Sequence, residues 1–324
     1  MHRKKIGIVG YGNIGRGVAQ AVMAAPDMEL TAVFTRRDPA IVEAPVQVLP
    51  MERTQGMEDV IDVMVLCGGS ATDLPEQGPQ LAARFNTVDS YDTHARIPEY
   101  FDKMQQAAQA GGKLALISVG WDPGLFSLQR LLGEAILPEG EAYTFWGPGV
   151  SQGHSDAVRR VKGVKNAIQY TVPVDSALEA VRGGEQPALT TRQKHTRVCY
   201  VAPEEGADLS QIQRDIVTMP NYFSDYDTTV HFVDEQELQR EHSGMPHGGF
   251  VLRSGKTAAG SPSILEYSLK TQSNPQFTGA VLAACARAVA RMAAAGQQGA
   301  ITLLDVPLGK LAPASPAELR KRLL

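Results

Sequence analysis

The chain has 324 residues and a net charge of −4 at pH 7. This length exceeds the usual size of one domain, so we expect two domains. The negative charge argues against nucleic acid or an anionic membrane as a partner. No apolar stretch approaches the length of a membrane span, and the first predicted strand begins too early to leave room for a signal peptide.

The cysteines and histidines show no pattern typical of a disulfide framework or a metal site. Cys67, Cys199 and Cys285 are widely spaced and form no C-x-x-C pair. The histidines show neither H-E-x-x-H nor H-x-H spacing. We therefore expect no bound metal and a reducing, cytoplasmic location.

The first predicted strand, residues 6–9, leads directly into a G-x-G-x-x-G turn at Gly10, Gly12 and Gly15. Gly10 permits a tight turn, Gly12 lets the backbone approach a pyrophosphate, and Gly15 lets the following helix pack closely on the strand. The first N–H groups of that helix lack intrahelical partners and can bind the pyrophosphate. A second strand at 30–34 completes the context, which indicates a dinucleotide-binding motif.

The residues after the second strand decide which dinucleotide the motif binds. A protein that prefers NAD usually has Asp or Glu there, which accepts hydrogen bonds from the ribose 2′-hydroxyl. This chain has Thr35, Arg36 and Arg37 instead, and these would bind a 2′-phosphate through charge-assisted hydrogen bonds. The alternative is that the two arginines form only a solvated pair in a loop. Because the acidic residue is also absent, the sequence favours NADP over NAD.

Strand and helix patterns alternate as far as residue 119. We predict strands at 59–66, 87–90 and 113–119, and helices at 72–85 and 97–110. This alternation predicts an α/β domain with a Rossmann-type, doubly wound parallel sheet. Ligands bind at the carboxyl ends of such strands. The predicted cofactor-binding residues are therefore Gly10, Tyr11, Gly12, Asn13, Ile14, Thr35, Arg36, Arg37, Cys67, Gly68, Gly69, Ser70, Ser90, Tyr91, Asp92, Gly120, Trp121, Asp122, Pro123 and Gly124.

The pattern changes after residue 120. Short helices at 176–182 and 209–218 separate longer alternating strands at 143–146, 167–172, 196–201, 228–233, 249–252 and 264–270. This predicts a second, α+β domain with a mixed or antiparallel sheet. A long helix at 277–295 and a strand at 300–306 are expected to return to the first domain. We thus expect a dinucleotide-binding domain at 1–120, completed by 275–324, and a domain for substrate binding and dimerisation at 121–274.

Six motifs stand in order along the chain: GYGNIG at 10–15, CGGSATD at 67–73, GWDPG at 120–124, TFWGPG at 144–149, SQGHSD at 151–156 and GMPHGG at 244–249. Together they resemble the meso-diaminopimelate dehydrogenase family. The resemblance implies a homodimeric, NADP-dependent enzyme that oxidatively deaminates the D-centre of meso-2,6-diaminopimelate. The implied products are ammonia and L-2-amino-6-oxopimelate, which cyclises to tetrahydrodipicolinate. The reverse reaction would fix ammonia into lysine and cell-wall precursors.

Asp92 and Asp122 are the candidate catalytic residues. Both follow strands that point toward the cofactor, and the resemblance places both beside the reacting D-centre. Each could instead be a turn former, and Asp122 before Pro123 fits a type I turn. The amine must lose a proton before hydride transfer, and the sequence leaves open whether Asp92, Asp122 or water accepts it. Trp121, Phe145 and Trp146 can line the pocket, although aromatic residues at such spacing are more often core.

The resemblance assigns further residues to the substrate, mostly to its distal L-centre: Gln152, Gly153, Asp156, Thr171, Arg197, His247 and Asn274. Arg197 suits a bidentate contact with a carboxylate, and without the resemblance it would be interpreted as a strand-surface arginine. His247 is expected in a glycine-rich loop that is too irregular to be core. His154 and His195 are expected to be structural or surface residues.

Two other functions remain as alternatives. One is another two-domain NADP-dependent oxidoreductase, such as a dihydrodipicolinate reductase or an aspartate dehydrogenase. The motif at 151–156, with Arg197 and His247, argues against it. The other is a non-catalytic NADP-binding sensor, which would not need Asp92 and Asp122 together with a substrate pocket.

Overall fold

The structure, a computed structural model, describes residues 3–324. The chain divides into two compact units: unit 1 extends to Leu128 and resumes at Pro275–Leu324, and unit 2 is Gln129–Asn274. In chain order the strands are β1 Lys4–Val9, β2 Met28–Thr35, β3 Val48–Pro50, β4 Val63–Leu66, β5 Thr87–Asp89, β6 Leu114–Leu116, β7 Glu139–Trp146, β8 Gly149–Val150, β9 Val164–Pro173, β10 His195–Pro203, β11 Asp227–Phe232, β12 His247–Lys256, β13 Pro262–Thr271 and β14 Gly299–Ile301.

The α-helices are likewise numbered in chain order. They are α1 Asn13–Ala24, α2 Leu74–Ala82, α3 Ile97–Gly111, α4 Phe126–Ile136, α5 Gln152–Arg159, α6 Asp175–Arg182, α7 Thr191–Lys194, α8 Leu209–Val217, α9 Glu235–His242, α10 Asn274–Ala293 and α11 Pro316–Leu323. Within residues 3–324 no helix is both long enough and apolar enough to cross a membrane.

Unit 1 contains a seven-stranded sheet in the order β14-β6-β5-β4-β1-β2-β3. Every strand pair in it is parallel. Alternate residues of the central strands face two separate cores: Ile8 packs in a cluster with side chains of α1 and α10, and Val9 in one with side chains of α2 and α3. Helices therefore cover both faces of the sheet, and the predicted doubly wound fold is confirmed. The strand order reverses beside β1, where such sheets bind ligands.

Unit 2 contains two sheets where the sequence predicted one. The first has the order β11-β10-β9-β8, with β10 and β11 parallel and the other pairs antiparallel. The second has the order β13-β12-β7 and is fully antiparallel. Helices α5 and α8 cover one face of the first sheet, around Cys199 and Phe223. Helix α6 packs on the second sheet around Phe145 and Leu252. The predicted mixed or antiparallel α+β architecture is confirmed.

Several predicted boundaries were wrong. The strand predicted at 59–66 is only Val63–Leu66, and the one predicted at 113–119 is only Leu114–Leu116. The strand predicted at 300–306 ends at Ile301, because Thr302 and Asp305 form a capping box that starts a short 3₁₀ helix. Helix α5 was not predicted from its sequence. By contrast, α3 ends as predicted, with Gly112 in the left-handed conformation at φ 62°.

Candidate functional site

The glycine turn of unit 1 has no room for side chains at two of its three glycines. Gly10 has a positive φ of 86°, and a Cβ there would lie 3.2 Å from the Cys67 carbonyl oxygen. A Cβ on Gly15 would collide with the Gly10 carbonyl oxygen. Gly12 has open space around it and precedes α1, whose N-terminus has neither a side-chain cap nor an acidic residue in its first turn. This arrangement suits a pyrophosphate, because the helix dipole and the free first-turn N–H groups favour an anion.

The last residue of β2 and the two residues that follow it are held by hydrogen bonds and an ion pair around this turn. Thr35 is 4% exposed, and its Oγ1 accepts a hydrogen bond from the Arg37 backbone N–H at 3.1 Å. The Arg37 guanidinium donates to the Tyr11 carbonyl oxygen at 2.9 Å. Arg36 is largely exposed and pairs with Asp73 at 2.7 Å. An exposed ion pair of this kind is weak, so the Arg36 guanidinium can change partner when a phosphate is present.

Asp73 is a feature of this region that the sequence did not single out. Besides pairing with Arg36, its carboxylate accepts the Gly69 backbone N–H at 3.0 Å. It thereby connects the loop after β4 to the loop after β2. A carboxylate close to a phosphate site would weaken anion binding unless cations outnumber it, and here Arg36 and Arg37 do. The signal in the sequence is the last residue of the CGGSATD motif.

Ser70 connects the loop after β4 to the loop after β5. Its Oγ accepts the Asp92 backbone N–H at 3.0 Å and donates to the Ser90 carbonyl oxygen at 3.5 Å. Tyr91, between them, is 2% exposed and stacks on Tyr100 with ring centroids 4.1 Å apart. The hydrogen bonds thus bring together Ser70, Ser90 and Asp92, three of the predicted cofactor-binding residues, at the carboxyl edge of the sheet. Tyr91 can offer a ligand only its backbone, because its side chain is buried in the core.

The segment Trp121–Leu125 follows β6 and does not form the type I turn that was the alternative interpretation of Asp122. Pro123 has ψ 156° where that turn requires about −30°. The Asp122–Pro123 peptide bond is cis, and Asp122 has an extended backbone. Trp121 is 9% exposed and meets Phe126 edge-on at 5.2 Å.

Arg197 is the central cation of the candidate substrate-binding residues in unit 2. It lies on β10 opposite Thr171 of β9 and donates a hydrogen bond to the Thr171 hydroxyl. The side chain is 6% exposed, and its guanidinium carbon lies 3.9 Å from the centre of the Tyr226 ring. The interpretation as a strand-surface arginine is therefore wrong. Sequence reasoning also missed Tyr226, which stands on no recognisable motif.

The Arg197 guanidinium is not neutralised within the described chain. No carboxylate pairs with it among residues 3–324, and its Nε atom is buried without a hydrogen-bond partner. Burial lowers the pKa of Arg197, and the neighbouring Tyr226 opposes that shift. A buried, incompletely satisfied guanidinium costs free energy unless an anion binds it. The arrangement fits a ligand carboxylate.

His195 supports the backbone beside this cation. Its Nε2 accepts the Trp146 backbone N–H at 2.8 Å, and its ring stacks on the Trp146 indole at 5.3 Å. Burial and the nearby Arg197 lower its pKa to about 4. The imidazole is therefore neutral near pH 7 and does not repel the Arg197 guanidinium. Phe145, predicted as a pocket wall, is fully buried in the core with Leu252, which makes it a core residue.

The predicted loop around His247 is wrong, because His247 is the first residue of β12. It is 9% exposed, and its Nδ1 accepts the Gly248 backbone N–H at 2.8 Å. Burial lowers the pKa of this imidazole. A Cβ on Gly149 would lie 2.6 Å from the His247 Cα atom, so a glycine is needed there. Nearby, the Asn274 backbone N–H donates to the Met245 carbonyl oxygen at 2.9 Å.

The SQGHSD motif forms the start of α5. Gln152 is exposed and donates to the Met245 sulfur at 3.0 Å, and Gly153 has open space around its Cα. The first turn has no acidic residue and no side-chain cap, which leaves N–H donors for a carboxylate. Asp156 pairs with Arg159 on the same helix and is more than half exposed. The structure therefore gives Asp156 a partner other than a ligand.

His154 follows Gln152 and Gly153 on α5. Its Nδ1 lies 2.8 Å from the Ser151 hydroxyl, and its ring contacts Phe223 edge-on. Burial and the nearby Arg197 lower its pKa to about 4. Like His195, it is neutral near pH 7 and leaves Arg197 as the charged group.

No three His, Cys, Asp or Glu residues of the described chain are grouped to hold a metal, and the three cysteines are free.

Comparison with known proteins gives full-length relatives. A family model described as "Diaminopimelic acid dehydrogenase C-terminal domain" matches residues 120–273. The meso-diaminopimelate D-dehydrogenase of Ureibacillus thermosphaericus is 61% identical over 100% of both chains. The solved structure of C. glutamicum DAP dehydrogenase in complex with DAP is 45% identical over 100% of both chains, with a TM-score of 0.92. An engineered D-amino acid dehydrogenase bound to NADP⁺ is 43% identical, covering 99% of this chain and 100% of the other, with a TM-score of 0.87.

These relatives span the entire sequence, so the likeness includes both the glycine turn of unit 1 and the Arg197 region of unit 2. The chain belongs to the meso-diaminopimelate D-dehydrogenase family.

Proposed function

We propose that this chain catalyses the reversible, NADP-dependent oxidative deamination of meso-2,6-diaminopimelate at its D-centre. The products are ammonia and L-2-amino-6-oxopimelate, which cyclises to tetrahydrodipicolinate. The observation that carries the proposal is the buried Arg197 guanidinium, which has a hydroxyl and an aromatic ring as neighbours but no carboxylate among residues 3–324. An amino acid with a second carboxylate supplies the missing anion. The identity of the full-length relatives supports the same substrate.

Unit 1 is proposed as the NADP-binding domain, and its residues fit that cofactor. The cradle around Gly10 and Gly15 excludes side chains where a pyrophosphate needs backbone donors. Arg36 and Arg37 replace the acid that would repel a 2′-phosphate. When bound, NADP⁺ accepts the hydride that leaves the D-Cα of the substrate. The chain contributes the binding and orientation of both molecules.

Asp92 and Asp122 are proposed to act at the reacting end. The amine must be unprotonated when the hydride leaves, so a carboxylate or water accepts its proton. A carboxylate that remains ionised also stabilises the positive charge that develops on nitrogen. The Ser70 hydroxyl holds the Asp92 backbone N–H, which fixes the direction of that loop. Water then attacks the iminium carbon and releases ammonia.

Unit 2 is proposed to bind the distal L-centre through Arg197, Thr171 and His247. This end of the substrate does not react, so its binding energy can be used to orient the D-Cα. The first turn of α5, with Gln152 and Gly153, offers further donors to the same end. Trp146 is 38% exposed and can contact the methylene chain.

We also propose that the protein is a homodimer in the cytoplasm. Unit 2 exposes large apolar side chains on two elements: Leu131, Leu132 and Ile136 on α4, and Ile264 and Leu265 on β13. Exposed apolar side chains in such number favour burial against a partner. The free cysteines suit a reducing compartment. Light scattering after size exclusion tests the dimer, and a monomer at micromolar concentration would refute it.

An absorbance assay of reduced nicotinamide tests the activity. The purified chain is mixed with NADP⁺ and, separately, with meso-, LL- and DD-diaminopimelate, L-aspartate and D-alanine. We expect rapid reduction with the meso compound, none with the LL compound, and much slower rates with the simple amino acids. Faster reduction of NADP⁺ with L-aspartate than with meso-diaminopimelate would indicate an aspartate dehydrogenase. Binding of NADP without turnover of any substrate would indicate a sensor. Reduction of dihydrodipicolinate by NADPH is the matching control for the reductase alternative.

A further inference from the structure

Asp89, the last residue of β5, is a fully buried carboxylate to which the sequence assigned no role. Its Oδ1 atom accepts two backbone N–H groups, from Tyr91 and from Ser118, each at 3.0 Å. Its Oδ2 atom accepts the Tyr100 hydroxyl at 2.9 Å. Its backbone carbonyl oxygen accepts the Val119 N–H at 2.8 Å. One residue thus holds the start of two different loops.

These two loops carry the candidate catalytic carboxylates. Tyr91 is adjacent to Asp92, and the Ser118 turn leads through Gly120 to Asp122. The bond to Tyr91 is local, as in a common Asx turn. The bond to Ser118 joins residues that are 29 positions apart, and no turn requires it. The Oδ1 atom therefore fixes the spacing between two strand ends rather than the shape of one loop.

Ser118 shows that its turn is held under strain. It is not glycine, yet its φ is 57°, and it is 6% exposed. Its own hydroxyl is buried with no hydrogen-bond partner among the described residues. A left-handed conformation of this kind persists only where the surroundings enforce it, and such positions cluster at functional sites. The side-chain and carbonyl oxygens of Asp89 supply that constraint.

We propose that Asp89 is a positioning residue for the deamination reaction: its Oδ1 atom sets the relative placement of the Asp92 and Asp122 loops. The inference rests on the proposed function, because that function places Asp92 and Asp122 at the reacting end of the substrate. A purely structural role, in which the carboxylate only satisfies the buried N–H groups of Tyr91 and Ser118, would change the stability of the variants but not the kcat of those that fold.

Three substitutions separate the position of the Oδ1 atom from the charge of the carboxylate. Asp89→Asn keeps an acceptor at Oδ1 and removes the charge, and the Tyr100 hydroxyl can then accept from the new amide. Asp89→Glu keeps the charge and displaces the acceptor by one methylene group. Asp89→Ala removes the acceptor. We expect kcat to stay within about threefold for Asn and to fall about 100-fold for Glu and Ala, the size of effect typical of misplacement by about 1 Å.

The matched control is Met104→Ala, another fully buried residue of the same core on α3. It destabilises unit 1 but takes no part in the hydrogen bonds of the Asp89 carboxylate, so the folded enzyme should keep its kcat. Binding of NADP⁺, measured by fluorescence titration, should stay close to wild type in all four variants, because the glycine turn and Arg36 remain intact. Circular dichroism verifies that each variant is folded.

Two results would overturn the inference. One is a wild-type kcat in folded Ala and Glu variants, and the other is an Asn variant as impaired as Glu. If the Ala variant fails to fold, the comparison of Asn with Glu decides. A wild-type enzyme that fails to oxidise meso-diaminopimelate would refute the proposed function instead, which separates the two failures.

Discussion

Arg197 and Thr171 face each other on paired strands β10 and β9, and the buried guanidinium of the first donates to the hydroxyl of the second. A hydroxyl can satisfy one N–H of the guanidinium but cannot neutralise its charge. Two histidines that lie close enough for Arg197 to influence their protonation do not add charge, because burial and Arg197 lower the pKa of both His154 and His195 to about 4. The pair therefore presents a single positive charge to an incoming carboxylate.

Arg36 and Arg37 should contribute differently to cofactor choice. Arg36 is exposed and its guanidinium pairs with Asp73. Arg36→Ala should therefore raise the KM for NADP about 10- to 100-fold and leave that for NAD unchanged. Arg37→Ala should weaken both cofactors, because Arg37 also holds the Tyr11 carbonyl. Steady-state kinetics with both cofactors measure this, and Arg53→Ala, at an exposed site outside the turn, is the control. Equal effects of Arg36→Ala on NAD and NADP would contradict the prediction.

Asp92→Asn and Asp122→Asn should each lower kcat for meso-diaminopimelate while NADP binding stays nearly intact. The amide keeps the shape of the side chain and removes its charge and basicity. The variant that lacks the proton-accepting carboxylate should lose about 100-fold or more in kcat, and the other variant should lose less. Pre-steady-state absorbance with saturating NADP⁺ distinguishes them, with Asp102→Asn on the exposed face of α3 as the control. Wild-type turnover in both variants would remove these carboxylates from the mechanism.

Asp89 should make unit 1 less stable as the pH rises from about 4 to beyond 6. Burial raises its pKa to about 6, against the three hydrogen bonds that lower it. Below the unfolded pKa of about 4 the carboxyl is protonated in both states, and its favourable contribution is lost as pH rises through 6. The full change is about 3 kcal/mol, and about half of it falls between pH 5 and 7.5. Between pH 5 and 7.5, the free energy of unfolding of Asp89→Asn relative to that of wild type should therefore rise by the part of this change that falls in that interval.

Urea unfolding at both pH values measures the difference. Glu185→Gln, at an exposed position, serves as the control and should show no comparable pH dependence. A gap between Asn and wild type that stays constant with pH would show that Asp89 is not charged by pH 7.5, or that its pKa is unshifted.

Gly149 should tolerate no side chain. A Cβ there would lie 2.6 Å from the His247 Cα and Cγ atoms, and backbone atoms cannot move aside cheaply. Gly149→Ala should therefore displace the start of β12 and raise the KM for meso-diaminopimelate much more than that for NADP. Gly244→Ala is the matched control, because its nearest contact would be an ordinary 3.6 Å to Pro246 Cδ. Unchanged kinetics in Gly149→Ala would show that His247 does not contact the substrate.

The fold could be predicted from the sequence where local and tertiary signals agree. The glycine turn, α3 with its Gly112 end, and the parallel sheet follow from spacing and burial alone. The strand expected to reach Val306 failed because a Thr302–Asp305 capping box overrides an apolar pattern. The burial of Arg197 and His247 could not be predicted, since it depends on Tyr226 and Gly149 in distant segments. Periodicity gives the face of a strand but not what covers that face.

Substrate specificity should depend on Arg197, because the distal carboxylate is the proposed partner of its buried charge. Simple D-amino acids with apolar side chains would leave the guanidinium unpaired, which costs about 2–5 kcal/mol, more than a missing methylene group. They should be very poor substrates of the wild type. LL-diaminopimelate should stay inactive, because neither of its centres presents a D-hydrogen to the cofactor.

Arg197→Met tests this directly. Methionine fills similar space beside Thr171 and the Tyr226 ring without a charge. The variant should lose most of its kcat/KM for meso-diaminopimelate and gain in relative rate on D-leucine or D-methionine, with kinetics on all three substrates as the measurement. Arg192→Met, at an exposed arginine that pairs with Asp227, should leave the ratio unaltered. Because the substitution removes only a contact with the non-reacting end of the substrate, NADP binding should not change. Equal oxidation of D-leucine and the meso compound by the wild type, or an unchanged ratio in Arg197→Met, would refute the assignment of the distal carboxylate to Arg197.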